Sequence, residues 1–197
     1  MGIEWTVPND TYLDFLRDNY ERRIPFSDYG DDKYKPFFSS LFKIDEMVYI
    51  SQVSHPQDRH KLMTQQLDFY KIYHPEDNRL IAVVNLNYMF PIHESLLINL
   101  QYKNIDQYRI FKNIEEKSKY IDLLSNELKQ INKLPLISNS KRIYLLKYEH
   151  PDSKVSLRSF DFKKLEQGCN EFINKRALFN RMTKENLEET GAVSENE

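Results

Sequence analysis

The chain has 197 residues, 40% hydrophobic and 29% charged, with 13 Tyr and 12 Phe, which excludes an intrinsically disordered chain and suits one compact domain. Its single cysteine, Cys169, excludes an internal disulfide or a cysteine-cluster zinc site, and with no apolar span of about 20 residues and no leader-like segment the expected setting is the cytoplasm, away from membranes. Net charge is −2, but residues 1–100 carry 10 Lys/Arg against 15 Asp/Glu, residues 101–184 carry 18 against 10, and residues 185–197 carry five Glu and no base, so a basic face for phosphates is compatible with the low pI, as is a solvated lysine-rich helix surface.

From Asp10 the apolar residues Tyr12, Leu13, Phe15, Leu16 and Tyr20 recur at three and four, which predicts an amphipathic helix capped by Asn9 or Asp10. Residues 27–36, SDYGDDKYKP, read as an exposed loop. Short runs rich in β-branched and aromatic residues follow at 37–44, 47–53, 67–72 and 80–86, joined by tight connections that predict an antiparallel sheet. From Asp106 the period becomes helical: Ile110, Ile114, Ile121, Leu124, Leu128 and Ile131 predict one long helix over about 106–133, ended by Pro135. A shorter helix is expected around 143–148, and another through Phe162, Leu165, Cys169 and Phe172, entered at Ser159 or Asp161 with Gly168 as a weak point. The fold class is α+β: one domain over 1–184, then an acidic tail at 185–197 expected to be disordered.

Four glycines leave no phosphate-cradling loop and no dinucleotide fingerprint, and zincin, serine-hydrolase and paired-cysteine motifs are absent. The segment VSHPQDRH, residues 53–60, holds two of the five histidines. Cutting RNA without a metal needs a base for the ribose 2′-OH, an acid for the departing oxygen and cations for the charge on phosphorus. His55 and His60 are candidate acid and base, Arg59 a candidate phosphate clamp, and Ser54 and Gln57 hydrogen-bonding partners. A solvated turn has the same composition. A metal-dependent site built on His55, His60 and Asp58 competes, although a five-residue histidine spacing fits no familiar zinc arrangement and no metal or other cofactor is expected. If the strands starting at 37 and 47 pair, Lys33 and Lys35 reach the same face, with Tyr29 and Tyr34 as stacking surfaces for bases and Lys112 of the basic middle segment as a further RNA contact.

Three separated segments then read together: KPFFSSLFKIDEMVYISQVSHPQDRHKLM (35–63), LIAVVNLNYMFPI (80–92) and FDFKKLEQGCNEF (160–172). In order and approximate spacing they resemble the ToxN/AbiQ family of type III toxin-antitoxin and abortive-infection endoribonucleases, over about residues 10–175. Asn85, Leu86, Met89, Pro91 and Ile92 fit the family's N-L-x-x-M-x-P-I signature, the most specific part of the likeness. Lys35 matches its basic residue before Pro, Ser54 the first hydroxyl of its loop, and Pro56, Arg59 and His60 agree. His55 stands where many members have a Ser, and Gln57 where they have a Lys. The resemblance implies a bent antiparallel sheet flanked by helices and a metal-independent, sequence-selective endoribonuclease leaving a 2′,3′-cyclic phosphate on cellular or phage mRNA. It also implies inhibition by a small antitoxin RNA with pseudoknot-containing repeats, bound in the substrate groove and bridging an RNA-protein oligomer. Asn85 and Gln57 are expected to contact RNA, and His55 to take over proton transfer, with Arg59 and Lys35 supplying the field that Gln57 does not. The alternative is an RNA-binding protein without catalysis.

Overall fold

The computed structural model describes residues 2–30 and 33–192, with the backbone alone for 185–192. The chain opens with β1 (Glu4–Pro8) and α1 (Asp10–Asn19), then lays down β2 (Phe37–Ser39), β3 (Lys43–Ile44) and β4 (Met47–Ser54). A short helix α2 (Asp58–Leu62) precedes the hairpin of β5 (Phe69–Tyr73) and β6 (Leu80–Asn85), after which come β7 (Phe90–His93) and β8 (Leu97–Asn99). The remainder is helical: α3 (Ile114–Ile131), α4 (Leu136–Glu149), α5 (Lys154–Arg158) and α6 (Phe162–Ala192).

All strand pairs are antiparallel, in the order β5-β6-β4-β2-β1-β8, with β3 and β7 also on β4, and the sheet is not closed. The α+β architecture expected from the sequence is therefore present. The strand β4 changes partners along its length: Met47 to Ile50 pair with β7, Ser51 and Gln52 with β2, and Val53 and Ser54 with β6. Its first seven residues are buried and Ser54 alone is half-exposed, so the same strand that runs through the core delivers Ser54 and His55 to the surface.

The segment 80–92 is a corner and not one strand. β6 stops at Asn85, a 3-10 turn spans Leu86–Tyr88, and β7 begins at Phe90. Leu86, Met89 and Ile92 are fully buried, the Leu86 N–H donates to the Asp68 carbonyl at 2.8 Å, and the Tyr12 hydroxyl donates to the Pro91 carbonyl at 2.6 Å. Pro91 thus sits in a strand where its missing N–H is tolerated and its carbonyl is used.

The long helix expected over 106–133 is shorter, because 3-10 geometry holds Tyr102–Gln107 and Asn113 caps a new start, its side chain accepting from the Glu116 N–H at 2.9 Å. The helix expected at 143–148 extends back to Leu136, directly after Pro135, and α6 is the longest helix of the chain. Asn9 caps α1, accepting from the Tyr12 N–H at 3.0 Å, and Asp161 bonds the first turn of α6. Gly168 has a packing reason: a Cβ there would lie 2.9 Å from Leu16 and 3.0 Å from Tyr20, where α1 crosses α6. The acidic tail expected from 185 has helical backbone as far as Ala192, and residues 193–197 lie outside the described residues. β1 and β8, which pair with partners distant in sequence, were not expected.

The core is strongly aromatic. Phe37, Phe38, Tyr49, Phe90, Phe160 and Phe162 are all fully buried, the Tyr49 ring stacks on Phe42 with centroids 4.3 Å apart, and its hydroxyl donates to the Glu166 carboxylate at 2.6 Å. No helix among the described residues is long and apolar enough to cross a membrane.

Candidate nucleic-acid interface and active site

Pairing of β2 with β4 brings the residues before Phe37 beside the residues after Val53, and the two chain segments form the walls of one cleft of about 180 Å³. Lys33, Tyr34, Lys35 and Pro36 line one side, Val53, Ser54 and His55 another. α3 closes it with Tyr120, Leu123, Leu124 and Glu127, and Arg109 enters from the loop before that helix. The expectation that Lys33 and Lys35 reach the face of Ser54 and His55 is met, and α3 flanks the cleft with an aromatic ring, two leucines and an acid.

Gln52, which the sequence did not single out, holds this arrangement together. It is buried, its amide donates to the carbonyls of Phe26 and Lys35 at 2.8 and 2.9 Å, and its oxygen accepts from the Tyr29 hydroxyl at 2.8 Å. Gly30, at φ 72°, makes the left-handed turn that returns the loop. The Lys35 ammonium lies 4.9 Å from the centroid of Tyr29. Burial holds Lys35 below the ordinary lysine value, with Glu127 opposing. That makes it a readier proton donor near neutrality.

From the cleft, shared residues trace a longer track. Ser54 also lines a hollow with Arg22, Arg23, Tyr29, Gln52, Asn85 and Tyr88. Asn85 and Tyr88 in turn line a third hollow with Arg59, His60, Asp68 and Arg158. In that hollow Arg158 makes a two-pronged ion pair with the buried Asp68. On the other side His55 borders a hollow with Asp58, Lys61 and Arg79. Tyr29 and Tyr88, 44% and 38% exposed, are available to bases along this path.

Two sequence expectations need correction. Tyr34 is 5% exposed and its ring stacks on Tyr108 at 5.3 Å, so it presents no free face for stacking. His60 is 6% exposed, and its Nδ1 accepts the Gln57 backbone N–H at 3.0 Å, while the His60 backbone N–H donates to the Gln57 carbonyl at 2.9 Å. Burial, and then Arg59 and Lys71, hold its pKa below the ordinary value, and acceptance at Nδ1 favours the tautomer that carries its proton on Nε2. His55 and His60 line different hollows and share none; the structure does not bring them together as an acid-base pair. Gln57 is exposed at the start of α2, and Lys112 is exposed before α3, its backbone N–H donating to Glu116, outside the residues that line the cleft. Among the described residues no three His, Cys, Asp or Glu side chains converge on a metal position.

Glu127 and Arg109 were missed. Glu127 was legible in principle: it lies three residues after Leu124 and four before Ile131, an acid on the apolar stripe of the helix. Burial pushes its carboxyl up to about 8, with Lys35 opposing. Arg109 packs over the Tyr120 ring at 4.4 Å and pairs with Glu116 at 3.0 Å, and nothing in its local sequence marks it.

An α+β protein with an antiparallel sheet, whose central strand β4 ends in a hydroxyl and an imidazole beside hollows lined by cations and aromatic rings, is the class that fold and site define. The family model of the toxin ToxN of type III toxin-antitoxin systems matches residues 5–170, and the chain belongs to that family. A search of curated protein sequences finds no match. Solved structures show the same fold. One, from work on selective toxin inhibition by a non-coding RNA pseudoknot in bacterial type III systems, is 17% identical with a TM-score of 0.69, over 87% of this chain and 98% of that one. Another, from work on a processed non-coding RNA that regulates a bacterial antiviral system, is 18% identical with a TM-score of 0.67, over 85% and 98%. The third, AbiQ, a lactococcal anti-phage endoribonuclease, is 14% identical with a TM-score of 0.69, over 88% and 99%.

Proposed function

We propose that the protein is a metal-independent endoribonuclease toxin acting in the bacterial cytoplasm, cutting cellular or phage mRNA as an abortive-infection defence. The observation that carries this reading is the convergence of Lys35, Ser54 and His55 on one cleft. His55 takes the proton of a ribose 2′-OH as that oxygen attacks the adjacent phosphorus. Lys35, with Arg109 on the same cleft, offsets the charge on the five-coordinate phosphate and stands ready to protonate the leaving 5′-oxygen, so the products are a 2′,3′-cyclic phosphate and a 5′-hydroxyl. Ser54 bonds the non-bridging oxygens. Arg59 and Arg22 grip flanking phosphates, and His60 orients the loop that carries Arg59. The same track holds a small antitoxin RNA with pseudoknots, of the kind described for the type III structures, which blocks substrate and bridges toxin copies.

A second reading, an RNA-binding protein without cleavage, rests on Gln57 standing where the family's usual Lys is missing. The test is incubation of purified protein with cellular RNA in excess chelator, followed by mapping of the ends. Cleavage with cyclic-phosphate ends, lost by at least about a hundredfold in His55→Ala as expected for a general acid-base group, supports the enzyme. Binding without cleavage selects the second reading, and loss of cleavage on chelation points to a metal-dependent site.

A further inference from the structure

The cleft carries polar atoms that have no hydrogen-bond partner among the described residues, one of them the Nε of the Arg109 whose charge also serves the phosphate. Glu127 is 4% exposed, and its carboxyl makes no hydrogen bond or ion pair with another described residue. The Tyr34 hydroxyl and the Arg109 Nε are buried without a hydrogen-bond partner among the described residues. All three line the same cavity, whose other walls include Val53, Ile81, Leu123 and Leu124. Buried polar groups in native folds nearly always find partners, and two without them beside a buried carboxyl that no hydrogen bond engages form a donor and acceptor set that lacks its complement.

Size, shape and position restrict what that complement is. At about 180 Å³ the space is well below the roughly 300–1,000 Å³ of sites for drug-sized ligands, so it suits a single planar ring system. Apolar walls with the Tyr120 ring among them match the faces of a nucleobase, while a carboxyl accepts a base N–H and a phenol and a guanidinium N–H donate to a ring nitrogen or carbonyl. Lys35, Ser54 and His55 border the same cavity, so the base belongs to a nucleotide next to the reacting phosphate.

We propose that this cavity takes one unstacked nucleobase of the bound RNA beside the cleaved phosphate, and that Glu127, with the Tyr34 hydroxyl and the Arg109 Nε, reads its polar edge. The inference rests on the endoribonuclease reading and assigns its sequence preference to named residues. Burial of Glu127 supports it, because a carboxyl kept neutral near pH 7 donates as well as accepts and so makes a two-point contact.

The experiment uses the full chain and a randomised RNA oligonucleotide, with cut sites read by sequencing, for wild type, Glu127→Gln, Glu127→Ala and Tyr34→Phe. Wild type should prefer one base at one position flanking the cut. In the Glu127 variants that preference should fall about tenfold or more at that position and at no other, as loss of a two-point base contact implies. An abasic nucleotide at the position should slow wild type by a similar factor and slow the Glu127 variants little. Because no hydrogen bond engages the carboxyl in the free protein and its burial outweighs the Lys35 charge, the thermal midpoint of the near-isosteric Glu127→Gln should be no lower than wild type, which separates recognition from a packing role. Unchanged preference in the Glu127 variants, loss of preference at every position alike, or indifference of wild type to abasic substitution would overturn the inference while leaving the enzyme reading standing. A wild type that cuts no RNA removes both.

Discussion

At the scale of single residues the loop 53–60 divides its labour. His55 is exposed at the exit of β4 and faces the cleft, whereas His60 is buried and spends its Nδ1 on the Gln57 backbone. Replacing His60 by Ala should therefore lower stability by about 0.5–2 kcal/mol through loss of the cap on the Gln57 N–H, read by denaturant melts. Cleavage should slow through loss of loop geometry but persist, and its complete loss in a His60→Ala variant that stays folded would return that ring to the chemistry. Glu127 carries a second prediction. Its folded pKa of about 8 lies above the ordinary carboxyl value of 4.5, so the stability it contributes is fully present below pH 4.5 and is lost as pH rises through about 8. Lys35, held low by burial, acts in the opposite sense, restoring stability only as pH climbs toward the ordinary lysine value. The melting temperature of wild type should fall between pH 5 and 8, and Glu127→Gln should flatten that fall.

At the scale of elements, Gly168 shows how a residue unfavourable for a helix is kept by what the helix touches. Gly168→Val would push into Leu16 and Tyr20 of the α1 region and should cost about 1–3 kcal/mol through overpacking, measured as a lower unfolding midpoint without a change in the sites that are cut. The sequence showed elements wherever the signal was local. α1, β4, the β5–β6 hairpin and the start of α6 carry their periodicity and caps within a few residues of themselves. β1 and β8 did not show, because five and three residues paired with distant strands have no local period to read. The break before α3 was hidden for a related reason: Ile105 is buried and Ile110 is 74% exposed, so the apolar spacing ran on across residues that do not share a face.

At the scale of the whole molecule, a chain of net charge −2 assembles a cationic track from residues scattered over most of its length, Arg22, Lys35, Arg59 and Arg109 among them. RNA affinity should fall steeply with salt, and Arg59→Ala should reduce the slope by about one phosphate's worth, roughly 0.7 for single-stranded RNA, while Glu127→Gln leaves it unchanged. Filter binding across a salt series measures both. The half of the site that lies in one run, Ser54 and His55 with Lys35 just before β2, was legible because short strands return both ends to one face. The half contributed by α3 and its preceding loop was not, since only tertiary contact brings Arg109 and Glu127 to the cleft.

The corner between β6 and β7 separates ancestry from activity. Leu86, Met89, Pro91 and Ile92 are spent on bending the chain and filling its interior, and of the five signature positions only Asn85 looks out along the track. Selection for folding alone would preserve such a signature even in copies that had lost activity, so a census of genomes by this pattern counts descendants of the toxin, and under the proposed chemistry a separate check at positions 35, 54 and 55 is what would distinguish armed copies from spent ones.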